Sequence, residues 1–299
     1  MDYVGQIFRP PSEAGSLLIQ VAVGCSHNRC TFCGMYRAKK FAVKPLATVL
    51  ADIEEARETT LATGAPPESA FDRVFLCDGD VLTLSVARLV PILEAVRERL
   101  PWVRRVGVYG DTRGVKTKTV ADLTKLREAG LDIVYHGLES GDDEVLRRID
   151  KGGTRAEAVE MARKLKRAGI THSVIVLLGV GGRERSQEHA RETAAALTEM
   201  QPEYVGALAM MVLPGTPLGD EVERGEFEVP DKFGLLRELF TLVDEARLTD
   251  TRFSANHASN YLPLRGNLPA DRAALLDTLG TVLATRDETL LKPEFLRGL

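Results

Sequence analysis

The chain is short of several things that would have named a class at once: it has one tryptophan, 6% aromatic residues, four cysteines and no large excess of either charge. No stretch reaches the roughly 18 consecutive apolar residues of a membrane-spanning helix. The opening residues MDYVGQIFRPPSEAG have neither the basic start nor the apolar centre of a secretory signal, so a cytoplasmic chain with no membrane role is expected. Lys and Arg number 39 against 43 Asp and Glu, a formal net charge of −4, which removes the global basic field of a nucleic-acid binder but leaves room for a local basic groove. Four cysteines in a reducing compartment argue against a disulfide framework.

What is present starts with 44% hydrophobic residues over 299 positions, enough to bury the core of one large α/β domain or of two smaller ones. Short apolar runs recur at 17–23, 73–77, 105–109, 131–139, 172–179 and 204–213. They are nearly continuous rather than alternating, as strands covered on both faces require, and are read as six buried parallel strands. Helical patterns lie between them. TRAEAVEMARKLKRAG opens with Thr154 and Glu157 at capping-box spacing and ends at Gly169, and LTKLREAG ends the same way at Gly130. Six βα units fall short of the eight of a closed barrel, so the expected fold is α/β, an open (βα)6 partial TIM barrel. Residues 1–215 are assigned to the barrel and its lead-in. Residues 216–299, with helical patterns near 231–247 and 269–286, are assigned to a C-terminal helical extension packed on it.

Three of the four cysteines, Cys25, Cys30 and Cys33, stand within nine positions in GCSHNRCTFCGMYRAKKF, residues 24–41. This loop follows the first strand directly, at the strand edge where α/β barrels carry their chemistry. Three thiolates on one short loop suit three irons of a [4Fe–4S] cluster and leave the fourth iron open. On spacing alone two other sites stay available: zinc held by the three cysteines with His27 or Cys77, or a closed four-cysteine cluster, either of them structural or electron-transferring. Cys77 ends a buried strand and reads more readily as a packed small hydrophobe.

The stretch CSHNRCTFC resembles the cysteine signature of the radical SAM superfamily, C-x3-C-x-aromatic-C after the first strand of a (βα)6 barrel, with Phe32 at the aromatic position. It departs in one respect, since four residues rather than three separate Cys25 from Cys30. The likeness extends over residues 16 to 215 and is nearest the branch of oxygen-independent coproporphyrinogen oxidases, methylthiotransferases and the elongator catalytic subunit. It implies a [4Fe–4S] cluster and S-adenosyl-L-methionine as cofactors. It also implies that Asp78, Gly79 and Asp80, after the second strand, meet the cofactor's amino group, and that Glu139 and Ser140, in HGLES, meet its ribose or methionyl part. Lys151 falls where a basic residue often pairs with its carboxylate, and Gly181, in LLGVGGRE, falls near the adenine; Phe32 and Tyr36 complete the expected cofactor contacts.

The residue types suit that ligand on physical grounds. An ammonium, a carboxylate and ribose hydroxyls entering an apolar site need acidic groups and a cation to meet them, and glycines let the backbone approach. The bland readings are turn formation for Asp78 and Asp80, N-capping of the next helix for Glu139, and a solvated helix-end lysine for Lys151.

The expected reaction is reductive cleavage of S-adenosylmethionine to a 5′-deoxyadenosyl radical that abstracts hydrogen from an unidentified substrate. An electron donor such as flavodoxin or ferredoxin is implied, and a small-molecule substrate is favoured over nucleic acid. A radical methyltransferase is the enzymatic alternative; no second cysteine cluster supports methylthio transfer. On the substrate side the candidates are Asp111 and Arg113, in YGDTRG at the end of the third strand, and His257, in the polar stretch FSANHASNYLPLRG (253–266), read as a loop across the barrel mouth. His136 is read as a core histidine or one behind the site, and Met210 and Met211 as strand packing.

Overall fold

The apolar runs become strands whose residues are largely buried, with successive positions covered on both faces at 74–77 and 133–136. The computed structural model describes residues 1–298. In chain order the elements are β1 (Leu17–Gln20), β2 (Ala22–Val23), β3 (Ala42–Val43), α1 (Leu46–Ala62), β4 (Arg73–Cys77), α2 (Val86–Arg99), β5 (Arg105–Tyr109), α3 (Thr112–Lys116), α4 (Val120–Ala129) and β6 (Ile133–Glu139). There follow α5 (Asp143–Arg148), α6 (Arg155–Arg167), β7 (Thr171–Leu178), α7 (Gly182–Met200), β8 (Tyr204–Ala209), α8 (Pro217–Glu223), α9 (Lys232–Glu245), β9 (Thr251–Ala255), β10 (Leu264–Leu268) and α10 (Arg272–Thr285). The strands form a mostly parallel eight-stranded sheet, and β2 and β3 pair as a separate antiparallel ribbon.

The chain divides into two compact units, one of residues 1–28, 35–136 and 163–172, the other of residues 29–34, 137–162 and 173–299. In the first, β1, β4 and β5 run parallel in that order, with Leu17 opposite Val74 and Val74 opposite Val106, and β5 pairs with the start of β6. Its interior holds Ile19, Phe75, Leu76, Leu82, Ile92 and Leu123, all fully buried. Phe75 meets Tyr109 edge to face at 5.0 Å. In the second, β7, β8 and β9 are parallel neighbours and β10 closes antiparallel on β9. Val174, Val176, Val205, Ala207, Phe253, Leu239 and Leu279 share its core.

The capping box expected at α6 is present: Thr154 N donates to Glu157 Oε2 at 3.1 Å and Glu157 N to Thr154 Oγ1 at 3.3 Å. Gly130 and Gly169 sit at φ +127° and +70° just past their helices, conformations that L side chains avoid. Two readings need correction. The stretch 253–266 is not one loop: Thr251–Ala255 and Leu264–Leu268 are strands, so residues 216–299 carry β9 and β10 besides their helices. The sixth apolar run stops as a strand at Ala209, which leaves Met210 buried just beyond it and Met211 half-buried.

Candidate active site

The loop after β1 is shaped by side-chain hydrogen bonds of Asn28, between Cys25 and Cys30, and by backbone hydrogen bonds further on. Asn28 stands in the left-handed region at φ +48°, which asparagine tolerates better than most residues. Its Nδ2 donates to the carbonyls of Tyr36 and Lys39 at 2.9 and 3.3 Å, folding the loop back on itself. Further on, Thr31 N donates to Ile149 O at 2.9 Å, Leu218 N donates to Thr31 O at 3.1 Å, and Cys33 N to Cys30 O at 3.2 Å. Phe32 packs with Ile149, Val180, Met210 and Leu218. Cys25, Cys30 and Cys33 are in no disulfide and are half-buried, so each is accessible to a ligand. Asn28→Ala removes two hydrogen bonds and strains the backbone, and is expected to lower stability by about 1–3 kcal/mol. Asn28→Gly loses the same bonds without the strain and is expected to cost less; equal melting points for the two variants would rule the backbone contribution out.

The turn after β4 holds the first unit's acidic groups. Asp78 is fully buried, and its Oδ2 accepts from Lys39 Nζ at 2.9 Å, Gly24 N at 3.0 Å and Gln20 Nε2 at 3.4 Å, while its Oδ1 is buried without a hydrogen-bond partner. Burial first, then the Asp78 carboxylate, push the Tyr36 phenol far above its usual range, so it stays protonated. Gly79 is required by crowding: a Cβ there would lie 2.8 Å from Cys25 Cβ and 2.8 Å from Tyr36 Cε2.

Asp80 accepts from Asp111 N at 3.1 Å through Oδ1, and its Oδ2 lies 3.9 Å from Arg113 Nη2. Asp111 N-caps α3, accepting from Arg113 N at 3.2 Å, and pairs with Arg113 Nε at 3.5 Å. The sequence divided these residues between cofactor and substrate; the fold brings Asp80, Asp111 and Arg113 into one charged group at the ends of β4 and β5. Lys39 and the buried Lys118, which donates to Gly114 O at 3.2 Å, carry no signal in the sequence, because a lysine's spacing says nothing about burial.

In the second unit Glu139 ends β6 at φ +62°, and its Oε1 lies 3.4 Å from Lys151 Nζ. The N-cap of α5 is Asp142, not Glu139, so the capping reading of Glu139 does not hold. Ser140 Oγ is buried against His189 Nδ1 at 2.7 Å. Gly181 precedes α7, where a Cβ would sit 2.8 Å from His189 Cβ.

His257 lies in the turn between β9 and β10. Its Nδ1 accepts from Ser259 N at 3.1 Å, which places the proton of the neutral ring on Nε2. Burial and then Lys292 lower its pKa, so it is neutral at pH 7. The turn is tied down further by Asn260 Nδ2 on Ala207 O at 2.9 Å and Arg297 Nε on Ser259 O at 2.6 Å. His136 is fully buried, 3.0 Å from Thr112 Oγ1 and stacked on His172 with ring centroids 5.4 Å apart.

Among the described residues no three His, Cys, Asp or Glu side chains converge at metal-holding distance. The fit to an iron–sulfur cluster therefore rests on the donor set, three accessible soft thiols on one loop, and on the close passage of the Gly79 backbone beside Cys25.

The profile of the radical SAM superfamily matches residues 19–197. This chain belongs to the radical SAM superfamily. Membership brings the superfamily's cofactors, a [4Fe–4S] cluster and S-adenosylmethionine. A heme chaperone HemW of Mycobacterium tuberculosis is 28% identical over 205 residues, covering 68% of this radical SAM chain and 51% of the relative, so the chain spans about half the length of that protein. A biotin synthase of Maridesulfovibrio salexigens is 26% identical over 242 residues, covering 80% of this chain and 68% of the relative. The solved coproporphyrinogen III oxidase HemN of Escherichia coli superposes with a TM-score of 0.56 at 16% identity over 77% of this chain and 52% of its own, which shows the fold, a partial barrel. The branch expected from the motifs is the one in which such relatives fall. No helix among the described residues is long and apolar enough to cross a membrane.

Proposed function

We propose that this chain is a radical SAM enzyme in which Cys25, Cys30 and Cys33 hold three irons of the cluster and leave the fourth to S-adenosylmethionine. The observation that carries the reading is the cysteine loop after β1, with Gly79 pressed against Cys25. When bound, these cofactors supply a 5′-deoxyadenosyl radical able to remove a hydrogen atom from a substrate. The chain's own residues bind and orient. The Asp78, Gly79 and Asp80 turn offers acceptors to the methionyl ammonium, Glu139 to the ribose or methionyl part, and Lys151 a cation to the carboxylate. Ser140 and Gly181 shape the turns beside them, and Phe32 and Tyr36 wall the loop. Asp111, Arg113 and His257 face the substrate, a small molecule rather than nucleic acid. Residues 1–215 form the barrel and 216–299 the extension packed on it. A flavodoxin- or ferredoxin-like donor delivers the electron.

The test is anaerobic reconstitution with iron and sulfide. A brown protein with about four irons per chain that yields 5′-deoxyadenosine with reductant and S-adenosylmethionine supports the reading. A colourless zinc protein overturns it, and S-adenosylhomocysteine as the only product turns it toward methyl transfer. His257→Ala is expected to leave iron content and cofactor binding within about twofold of wild type and to abolish substrate-dependent turnover or convert it into slow uncoupled cleavage. Loss of the cluster in that variant would mean that the Ser259 and Asn260 turn is purely structural.

A further inference from the structure

One buried polar network remains that no motif of the chain explains. Glu238 lies in α9, outside the span matched by the family profile, and is fully buried. Its sequence context, KFGLLRELF, reads as an ordinary amphipathic helix with a solvated charge, yet the carboxylate points inward. Oε2 accepts from Gly179 N at 2.6 Å and Oε1 from Ser186 Oγ at 2.6 Å, so one oxygen holds the turn between β7 and α7 and the other the start of α7. The same Oε2 is 3.8 Å from His189 Nε2. Burial holds His189 neutral, with its pKa lowered to about 4, so this is a close contact and not an ion pair at pH 7. On its other side the His189 ring meets Ser140 Oγ at 2.7 Å, and that oxygen accepts from Asp142 N at 3.0 Å.

The glycines of the two turns are pressed onto the same scaffold. A Cβ at Gly179 would lie 2.7 Å from Leu235 Cδ2 of α9, and one at Gly141 would lie 2.2 Å from Glu192 O of α7. A buried carboxyl is a costly device for packing alone, since burial drives the Glu238 pKa up to about 7. An apolar side chain would fill the space at less cost but would leave the Gly179 amide and the Ser186 hydroxyl without acceptors.

We infer that Glu238 is a positioning residue: it fixes the Gly179–Gly182 turn and, across His189, the Ser140 turn in the geometry that S-adenosylmethionine requires. This rests on the proposed assignment of those turns to the cofactor, and it makes the C-terminal segment part of the cofactor site's support.

The test is titration of the reconstituted protein with S-adenosylmethionine in the absence of reductant. Glu238→Ala is expected to bind about tenfold more weakly at unchanged iron content, the usual scale for groups that orient ligating groups. Glu238→Gln, whose amide oxygen still accepts from Gly179 N while its NH2 donates to the Ser186 hydroxyl, is expected to recover to within about threefold. Glu238→Ala that melts lower but binds as wild type overturns the inference. Should the alanine variant not fold, amide exchange in wild type decides: S-adenosylmethionine is expected to slow exchange both at Gly179–Gly182 and around Glu238, and protection of the turn with no change in α9 overturns the inference. If wild type itself neither retains iron nor binds the cofactor, the proposed function has failed and the inference falls with it, a result separate from any Glu238 effect.

Discussion

Replacing Cys25, Cys30 or Cys33 singly by alanine is expected to strip the reconstituted protein of nearly all its iron, while Cys77→Ala keeps it. Each of the three thiols lies on the loop after β1 and is half-buried, so its thiolate is available as a ligand. Losing one leaves an iron with no protein anchor, and the cluster is then expected to be lost on gel filtration. Cys77 differs in kind. It ends β4 fully buried, its Sγ lies 3.5 Å from Phe75 O, and burial, then the Asp78 carboxylate, raise its thiol pKa far above the ordinary range, away from the thiolate that a metal needs. Iron per chain and visible absorbance measure the outcome. Dependence of iron retention on Cys77, with one of the other three dispensable, would refute the open-iron arrangement and favour the closed-cluster reading.

The second large effect is expected on cofactor affinity. Asp80→Asn keeps an acceptor for Asp111 N, now 3.1 Å from Asp80 Oδ1, and so preserves the local fold while removing the charge offered to an ammonium. Glu139→Gln does the same beside Lys151, 3.4 Å away. Each should weaken S-adenosylmethionine binding by about 1–3 kcal/mol, roughly fivefold to more than a hundredfold, because a donor on the cofactor loses its charged acceptor. Iron content should stay at the wild-type level. Unchanged affinity in both variants would confine Asp80 to holding Arg113 and Asp111, and Glu139 to its pairing with Lys151.

The strands were legible where burial is two-sided. All six apolar runs contain a strand of the sheet, since a run of Val, Ile and Leu that must satisfy two covered faces carries its signal in composition alone. The capping box of α6 and the glycine exits of α4 and α6 were equally legible, being local devices that need no tertiary partner. β9 and β10 were not. Thr251–Ala255 and Leu264–Leu268 mix charged, polar and small residues, and they become strands only because β8 offers a free edge, with Phe253 opposite Val205 and Leu264 opposite Ala255.

For the site, the sequence by itself determined the donor set: three thiols at close spacing on a loop after the first strand, and acidic groups and glycines at the ends of later strands, because residue type and order along a βα chain already state which edge each group reaches. The tertiary structure alone decided which charges meet. It set Asp80 beside Arg113, Lys39 on Asp78, Glu139 against Lys151, and Glu238 under the Gly179 turn, pairings between residues 12 to 59 positions apart. Such pairs carry no periodic signature. A buried carboxylate and a solvated one have the same place in a helical pattern, and only the packing around them separates the two.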